Sequence, residues 1–430
     1  NNISMENLPL FSIIIPQKNR AEYVYHTIRT CMMQDYPNLE IIVSDDCSDD
    51  DSVEVVRGLM KIDSRIRLYT HDHHLGMRGN FEFALSQVKP GYVMALGGDD
   101  GLVPGCIWKM LEILKETNTQ LLTWTPHLYF YPEVEGGSSI LCVKRYKRYY
   151  IKKMRSEDYF EKIAKTFNYA TFDCPMFYIK GVVSTELVDR VKSRTKDHCF
   201  YVCPTPDGFS GIAVAGEAGE YAFTNEPLSI TGSSPKSQGK NYHRTDEQSK
   251  KESVEFFKDN ADRPMHKELA SQPCSPLVTI MTADFILQAK DMLGWPGHFP
   301  ELSYEDLIRK TFAFLVKKDF HNEVLTRELI ILKKIAEQHG LVDLFNQLLK
   351  TTKRKVVWAK PVYGFAVTNT IHFDGAEHGI NNVFDAAIAA QSIAKVYHKV
   401  SLKGFIELVS NNIKTLMRRR KYKKESLPQI

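Results

Sequence analysis

The chain has 430 residues, of which 43% are hydrophobic and 25% are charged, a balance that excludes a disordered or fibrous protein. No apolar run reaches the roughly 18–20 residues that cross a bilayer, and eight scattered cysteines without a CxxC pair argue against a zinc or disulfide framework. The net charge of +4 is uneven, because ten basic residues and one acidic residue lie between Lys395 and Lys424.

The first hundred residues alternate strand and helix patterns. Short, bounded apolar runs are typical of buried parallel strands, and apolar residues at helical spacing indicate amphipathic helices. Such alternation predicts an α/β fold with a mostly parallel sheet and right-handed crossovers. The predicted strands cover 11–16, 39–46, 65–71 and 92–96, and the predicted helices cover 21–34, 51–62 and 79–88.

Beyond residue 120 the pattern is less regular. Helices are predicted at 156–167 and 181–191. The stretch at 203–239 is interrupted by Pro and Gly residues, a pattern typical of loops that form a binding site. From about residue 245 the pattern is mainly helical, with a short strand-like insert at 355–374. The predicted units are a catalytic domain over 1–240, a helical domain over 241–354 and a C-terminal segment over 355–430.

Acidic pairs follow two of the predicted strands, at the edge where parallel sheets bind ligands. Asp99 and Asp100 come directly after the apolar run "YVMAL", where carboxylates are costly unless a cation or strong donors satisfy them. Oxygen ligands of this kind suit a hard divalent cation. Asp45 and Asp46 end a neighbouring strand and suit hydrogen bonds from a base edge or a ribose.

Two further features complete this pattern. Arg78 stands beside two glycines in "LGMRGNF", just before a predicted helix, which suits close approach to a phosphate. Asp207 lies in the turn "PTPDG" and is placed to present one carboxylate as a base. A cation, a nucleotide and a base together indicate transfer of a group from a nucleotide diphosphate.

The stretch "SIIIPQKNRAEYVYHTIRTCMMQDYPNLEIIVSDDCSDDDS" resembles the opening of family 2 glycosyltransferases, which have the GT-A fold. "HHLGMRGNFEFAL" and "YVMALGGDDGLVPG" resemble the next two blocks of that family in order and spacing. The resemblance covers 10–110 strongly and 170–240 moderately, where it is similar to members acting in bacterial surface-polysaccharide synthesis. Past residue 245 only the general residue pattern resembles the family.

The resemblance implies a role for each matched residue. Asp99, with Asp100 beside it, would hold Mn²⁺ or Mg²⁺ that bridges the diphosphate of a nucleotide-sugar, most simply a UDP-sugar. Asp207 would deprotonate the acceptor hydroxyl for in-line attack that inverts the anomeric carbon. The implied nucleotide contacts are Pro16, Lys18, Arg20, Asp45, Asp46 and Arg78.

Two positions depart from the family pattern. The first carboxylate of the family's metal triplet is Gly97 here, so a cation would depend on Asp99 and phosphate oxygens more than usual. The loop position that is often aromatic is Lys18, which leaves the identity of the bound base open.

Each acidic pair also has a purely structural interpretation. Asp45 and Asp46 would serve as turn and N-cap residues before the helix near residue 52, and Asp99 and Asp100 would cap a helix starting near Pro104. Their joint occurrence at the ends of successive strands favours the site.

The later candidates have structural alternatives as well. Pro-Asp-Gly is a common turn, so Glu217 and Glu220 rival Asp207 as the base. His243 is either a contact on a lid or an exposed loop histidine. The basic, aromatic run at 143–155 has no nucleic-acid recognition motif, and we expect no nucleic-acid partner.

The C-terminal segment is predicted to form a basic amphipathic helix. An apolar stripe precedes the cluster "RRRKYKK", a pattern that favours contact with an anionic membrane surface or, alternatively, with the chain's own helices or a second subunit. With no signal-peptide pattern at the start of the sequence, we expect a cytoplasmic protein at the inner face of the plasma membrane. The stripe consists of Leu402, Phe405, Ile406, Val409, Ile413 and Leu416.

The sequence therefore predicts a metal-dependent inverting glycosyltransferase that extends a bacterial surface glycan, with a polyprenyl-diphosphate-linked acceptor. Two other classes remain open. A sugar-nucleotide-forming nucleotidyltransferase normally opens with a Gly-rich phosphate loop, which "PQKNRAE" lacks. A non-catalytic subunit that binds glycan or scaffolds a membrane complex is compatible with Gly97.

Overall fold

The computed structural model describes residues 8–132, 138–237, 242, 247–318, 320–357, 363–366, 369–395, 406, 409–410, 413–414 and 422–428. These residues form a large sheet with flanking helices, a smaller second sheet and a group of helices from the second half of the chain. The predicted α/β class, with a mostly parallel sheet and a helical region toward the C-terminus, is confirmed.

The N-terminal strands and helices form where the apolar pattern predicts them. They are β1 (Phe11–Gln17), α1 (Ala21–Met32), β2 (Leu39–Asp45), α2 (Ser52–Met60), β3 (Ile66–Thr70), α3 (Gly76–Ser86) and β4 (Tyr92–Ala95). β1 pairs in parallel with β2 and β4, and β2 pairs in parallel with β3. Ile13 and Ile15 of β1 enter one core and Ile14 enters the core on the opposite face, so the strand is apolar throughout.

The next elements complete the large sheet and begin the small one. They are β5 (Gly101–Leu102), α4 (Cys106–Thr117), β6 (Leu121–Trp124), β7 (His127–Phe130), β8 (Ile140–Lys144), β9 (Ile151–Arg155), α5 (Ser156–Thr166), β10 (Gly181–Ser184), α6 (Thr185–Ser193), α7 (Gly208–Ala218), β11 (Glu220–Thr224) and β12 (Ser229–Ser233). The large sheet has the order β3-β2-β1-β4-β10-β6-β11-β9. β9, which carries part of the basic run at 143–155, is an edge strand.

The prediction of one helix over 181–191 is wrong at its first four residues. Gly181–Ser184 form β10, which lies antiparallel between β4 and β6. The β-branched pair Val182 and Val183 is fully buried in the sheet, an environment that a single-sequence pattern does not reveal. Ser184 then caps α6, since its hydroxyl accepts a hydrogen bond from Leu187 N at 3.3 Å.

The helical region packs around its own core. Its elements are α8 (Glu247–Asp259), α9 (Val278–Lys290), α10 (Tyr304–Leu315), α11 (Asn322–Gln338), α12 (Val342–Thr351) and β13 (Lys353–Val357). Apolar residues of α9–α12, including Ile280, Phe312 and Leu332, fill this core. α9 also packs against α7 of the first domain, so the two regions share an interface.

The predicted boundary at residue 355 does not coincide with the packing. β14 (Gly364–Ala366) and β15 (Thr370–Asp374) join the second sheet, whose order is β14-β15-β8-β7-β12-β5. α13 (Val383–Lys395) buries Val383, Ala386 and Ala390 in a cluster with Tyr23 of α1. The described part of 363–395 therefore belongs structurally with the first domain.

Most of the predicted C-terminal amphipathic helix lies outside the described residues, including Leu402, Phe405, Leu416 and 418–421. Ile406, Val409 and Ile413 are exposed and helical. Tyr422–Ser426 form a strand, β16, antiparallel to β13, so the expectation that the segment ends as a helix is wrong at these residues. Among the described residues, no helix has the length and apolar character needed to span a bilayer.

Candidate functional site

The carboxyl ends of β1, β2 and β4 meet at one edge of the large sheet, because these strands are parallel and adjacent. Gln17 at the end of β1 lies beside Asp45 at the end of β2, and the sequence Gly97–Asp100 follows β4. Both acidic pairs therefore occupy the edge where an open α/β sheet binds its ligands.

Asp100 is held by backbone amides on both sides. Its Oδ2 accepts a hydrogen bond from Gly97 N at 2.8 Å, and its Oδ1 accepts one from Gly232 N of β12 at 2.8 Å. Burial raises the pKa of the Asp100 carboxyl, and the neighbouring Asp99 charge raises it further. Asp100 thus joins the two sheets, and neither of its oxygens faces a ligand.

Asp99 keeps one oxygen available. Its Oδ2 accepts hydrogen bonds from the hydroxyl groups of Ser234 at 2.6 Å and Ser237 at 2.9 Å. In the part of the chain that the structure describes, no hydrogen bond reaches Oδ1. The residue as a whole is only 6% exposed, so Oδ1 is an acceptor without a protein partner at the edge of a largely buried side chain.

Gly97 has no room for the carboxylate that the family pattern places there. A Cβ at this position would lie 2.5 Å from the Tyr178 hydroxyl and 2.6 Å from Asp100 Oδ2. The departure that the sequence shows therefore has a steric cause. The space is already filled by Tyr178.

The residues at this edge fit a divalent cation only if the substrate completes its coordination. Among the described residues, no cluster of three or more His, Cys, Asp or Glu side chains is placed to hold a metal. Mg²⁺ at phosphate-transfer sites usually takes one or two protein carboxylates, with phosphate oxygens and waters as the other ligands. Asp99 Oδ1 meets that requirement, and Asp100 does not.

Asp45 is directed into its own loop. Its Oδ1 accepts a hydrogen bond from Ser48 N at 2.9 Å, its Oδ2 accepts one from the Ser48 hydroxyl at 2.6 Å, and Gln17 Nε2 also donates to Oδ2. Cys47 between them has a positive φ of 57°, which this Asx-type arrangement stabilises. The structural interpretation weighed from the sequence describes Asp45 better than a nucleotide contact does.

Asp46 is paired with a histidine that sequence reasoning did not single out. Its Oδ1 accepts a hydrogen bond from Leu75 N at 2.6 Å, and its Oδ2 lies 2.8 Å from His74 Nδ1. Burial raises the pKa of the Asp46 carboxyl, while the Leu75 amide and His74 oppose that rise. Asp46 and His74 together form the outer wall of the site.

Helix α8 of the helical region reaches this wall. His74 Nε2 lies 2.8 Å from Asp259 Oδ2, and Lys18 Nζ lies 2.8 Å from Glu255 Oε1. The charge of Lys18 therefore faces a carboxylate of α8. These contacts join residues more than 180 positions apart, so a local sequence pattern could not predict them.

Arg20 faces the acidic pair after β4. Its stem lies beside Gly98, where a Cβ would come within 3.1 Å of Arg20 Cγ, and its charge lowers the pKa of Asp100 against the larger effect of burial. Its guanidinium donates to the Lys236 carbonyl, and Lys236 Nζ donates to Asn19 O at 2.7 Å. Lys236 therefore lies within the loop that holds Asp99, and Arg20 is hydrogen-bonded to that loop.

The remaining nucleotide candidates are less directly placed. Pro16 is a buried residue of β1 opposite Ser44. Arg78 on α3 is half-buried, and both burial and the nearby Arg263 charge lower the pKa of its guanidinium. Its electrostatic surroundings also include Glu82 and not the acidic pairs.

Asp207 occupies the N-cap position of α7, where the helix dipole favours a carboxylate. Its Oδ2 accepts a hydrogen bond from the Tyr169 hydroxyl at 2.8 Å, and its Oδ1 accepts one from the Thr205 hydroxyl at 2.6 Å. The negative charges of Asp99, Asp100 and Asp207 all act on the hydroxyl of Tyr178, which links the two parts of the site.

The rivals of Asp207 have other partners. Glu217 is buried in an ion pair with Arg194, and Glu220 is exposed and lies 2.8 Å from Lys153 at the sheet edge. Neither carboxylate adjoins the acidic pairs in any contact of the described residues. His243 lies outside the described residues.

Comparisons with known proteins agree with the resemblance seen in the sequence. Residues 12–177 match the family model "Glycosyl transferase family 2". An uncharacterized glycosyltransferase of Haemophilus influenzae is 27% identical over 36% of this chain and 60% of its own length. The Campylobacter jejuni GalNAc(5)-diNAcBac-PP-undecaprenol beta-1,3-glucosyltransferase is 36% identical over 25% of this chain and 36% of its own length.

These matches cover about a third to three fifths of the curated relatives. The crystal structure of S. aureus TarS 1–349 in complex with UDP-GlcNAc is 13% identical, covers 79% of this chain and 90% of that chain, and has a TM-score of 0.44.

Proposed function

We propose that this chain, whose residues 12–177 match the family 2 glycosyltransferase model, is a member of that family and moves one sugar from a nucleotide-diphosphate sugar to a hydroxyl of a glycan acceptor. One observation carries the proposal: Asp99, which lies within the matched residues at the carboxyl edge of the sheet, has one oxygen that accepts no hydrogen bond from the described residues, and the carboxylate of Asp207 is held in one orientation by Tyr169 and Thr205. A cation-linked diphosphate and a base are the two parts that such a transfer needs.

The donor is proposed to lie along the ends of β1, β2 and β4, with a UDP-sugar as the first choice. Arg20 and Lys236 supply positive charge beside Asp99, which suits the diphosphate. Asp46 and His74 then face the nucleoside end of the donor. Of the nucleotide contacts implied by the resemblance, Arg20 and Asp46 have the best-supported geometry.

A Mn²⁺ or Mg²⁺ ion is proposed to bind Asp99 through Oδ1, with the donor's phosphates as further ligands. When bound, such an ion neutralises the negative charge that develops on the leaving diphosphate. The serine hydroxyls on Oδ2 fix the carboxylate so that Oδ1 points away from Ser234 and Ser237.

Asp207 is proposed as the general base. Tyr169 and Thr205 donate to its two oxygens and hold it in one orientation, and each oxygen retains a lone pair. The acceptor oxygen attacks the anomeric carbon as the bond from that carbon to the diphosphate breaks, and the acceptor proton passes to Asp207. Attack opposite to the leaving group inverts the anomeric configuration.

The acceptor is proposed to be a polyprenyl-diphosphate-linked glycan in a bacterial surface-polysaccharide pathway, handled at the inner face of the plasma membrane. The name of the C. jejuni relative specifies an undecaprenol diphosphate-linked acceptor for that protein. Here, exposed apolar side chains at Ile406, Val409 and Ile413 share one face at helical spacing, close in sequence to a basic cluster.

Calorimetric titration of the full chain with UDP, GDP and dTDP, with and without Mn²⁺, tests the proposal. We expect micromolar binding of one nucleotide that requires the cation, together with slow hydrolysis of the matching sugar donor. Absence of both binding and hydrolysis across all three nucleotides contradicts the enzymatic function and supports the scaffold alternative.

Liposome sedimentation tests the membrane contact. Replacing Ile406, Val409 and Ile413 by Ser should weaken binding to anionic vesicles while donor hydrolysis in solution is unchanged. Exchange of the exposed Ile62, which is remote from the C-terminal segment in sequence, for Ser is the matched control. Unchanged vesicle binding of the triple variant favours the contact with a second subunit instead.

A further inference from the structure

Three oxygen atoms surround the missing side chain of Gly97. Relative to an ideal Cβ at this position, the Tyr178 hydroxyl lies at 2.5 Å, Asp100 Oδ2 at 2.6 Å and Asp99 Oδ1 at 3.3 Å. Asp100 Oδ2 is already occupied by Gly97 N, whereas Asp99 Oδ1 has no hydrogen bond from the described residues. The Tyr178 hydroxyl and the open oxygen of the proposed cation ligand therefore border the same small space beside Gly97, without a hydrogen bond joining them among the described residues.

The backbone holds Tyr178 in place at a conformational cost. The next residue, Ile179, has a φ of 64°, a left-handed conformation that β-branched residues rarely adopt. Ile179 N donates to Ala95 O of β4 at 2.7 Å, which ties this strained residue to the strand that precedes Gly97. Strain of this kind persists only where surrounding contacts enforce it, and it is concentrated at functional sites.

Lys180 provides the second anchor. Its buried ammonium donates to Thr171 O at 2.9 Å and to Phe172 O at 2.7 Å, and burial lowers the pKa of this lysine to about 8. Phe81 of α3 contacts the Tyr178 ring edge-on at a centroid distance of 5.8 Å. Phe81 therefore contacts the ring, and Ile179 and Lys180 anchor the adjoining chain, whereas the Tyr178 hydroxyl makes no hydrogen bond with any described residue.

The charge around the hydroxyl defines its chemistry. Burial, reinforced by the charges of Asp100 and Asp99, raises the pKa of Tyr178 well above its usual value. A tyrosine phenol is protonated near neutral pH even without such a shift, so Tyr178 is a neutral hydrogen-bond donor or acceptor. Beside carboxylates, an incoming diphosphate needs hydrogen-bond donors, and a phenol supplies one without adding negative charge.

We infer that Tyr178 donates a hydrogen bond to the terminal phosphate of the nucleoside diphosphate and so takes the place of the family carboxylate missing at Gly97. The inference rests on the proposed function and adds a residue to it. The terminal phosphate is the group next to the bond that breaks, and Tyr178 lies within the electrostatic reach of both Asp99 and Asp207. Tyr178 thereby stabilises the leaving group directly.

The test compares Tyr178→Phe with Tyr201→Phe in the full chain. Tyr201 contacts the same Phe81 ring at 5.5 Å, and its buried hydroxyl also lacks a partner, so the control removes an equivalent atom away from the cleft. Calorimetry with UDP and with UMP, both in Mn²⁺, reports the phosphate that is contacted. Thermal unfolding of each variant reports whether the fold is intact.

Tyr178→Phe should weaken UDP binding by about tenfold and leave UMP binding within about twofold of wild type, because only UDP carries the contacted phosphate. Its kcat for donor hydrolysis should fall by at least about tenfold. Tyr201→Phe should change neither quantity. Equal loss of UDP and UMP affinity, or no loss of either, overturns the inference.

The behaviour of the wild-type chain separates this inference from the function on which it rests. Wild-type protein that neither binds UDP nor hydrolyses any sugar donor contradicts the proposed function itself. Wild-type protein that does both, alongside a Tyr178→Phe variant with normal UDP affinity and kcat, contradicts the role of Tyr178 alone.

Discussion

The two acidic pairs, Asp45–Asp46 and Asp99–Asp100, look alike in the sequence. In the structure, the two carboxylates within each pair have different kinds of partner. In each pair one carboxylate turns back into the backbone: Asp45 onto Ser48, and Asp100 onto Gly97 and Gly232. The other carboxylate, Asp46 or Asp99, contacts side chains of other segments, His74 and Ser234 respectively. In each pair, one carboxylate therefore stabilises the loop after the strand, and the other makes contacts outside that loop.

The difference between the pairs lies in what satisfies the outward carboxylate. Asp46 is compensated by His74, which in turn is fixed by Asp259 of α8. Asp99 has only neutral donors, the Ser234 and Ser237 hydroxyls and the Ser234 amide, on one oxygen. A buried carboxylate without a cationic partner is costly, so we expect a cation to stabilise the second pair more than the first.

The strongest test of this division is Asp99→Ala. We expect loss of donor turnover by a factor of at least about 10², because the cation loses its protein ligand. UDP binding should also become insensitive to EDTA. Ser237→Ala, which removes one of the donors to Oδ2, is the matched control and should cost far less. Metal-dependent UDP binding that survives Asp99→Ala breaks the comparison.

Asp207→Asn asks whether a carboxylate outside both pairs carries the proton transfer. Transfer should fall by about 10²–10⁴, the usual contribution of a general base, while UDP affinity stays near wild type. Glu220→Gln, which changes the exposed rival, should transfer sugar normally. Full activity of Asp207→Asn would place the base elsewhere.

Asp45 and Asp100, whose carboxylates accept hydrogen bonds from backbone amides, should contribute to the stability of the fold. Asp100→Ala leaves the amides of Gly97 and Gly232 without an acceptor, and Asp45→Ala does the same to Ser48. Each change should lower the free energy of unfolding by about 1–3 kcal/mol, as measured in urea. Asp49→Ala, at an exposed position in the same loop, should stay within about 0.5 kcal/mol of wild type. Equal effects of all three substitutions would contradict the division.

The smallest effect is expected at the contact with α8. Glu255→Gln removes the ion pair with Lys18, whose side chains are 46% and 28% exposed, and should cost about 0.2–1 kcal/mol of stability at low salt. Adding 0.5 M NaCl should erase most of that loss, because salt screens exposed charges. A loss that persists in high salt would show that α8 is held by more than charge.

The positions of the strands that form the carboxyl edge of the sheet were predictable from the sequence, because each buried parallel strand is a short local run of apolar residues. Asp99 stands out for the same reason, as a polar residue at the end of such a run, whereas Asp207 was indicated by its Pro-Asp-Gly turn and by the family resemblance. The direction of each carboxylate was not predictable, since it depends on amides such as Gly232 N, which is 132 positions away from Asp100.

The failures share this long-range origin. The strand at Gly181–Ser184 forms because β4 and β6 flank it, and β15 joins β8 across more than 220 residues of chain. His74 and Tyr178 gain their roles from α8 and from Gly97, respectively. A departure from the family motif, the glycine at 97, was the one available signal for Tyr178, although it did not say which side chain fills the gap.

Strand β12 ends in the loop whose hydroxyls hold Asp99, and this placement couples distant parts of the chain. Gly232 packs so tightly that a Cβ would overlap the Asp99 carbonyl, and its strand belongs to the sheet that also contains β14 and β15. The position of Asp99 is therefore tied through Ser234 to that small sheet. We expect substitutions that loosen the described part of 363–395 to disturb Asp99 before they unfold the chain.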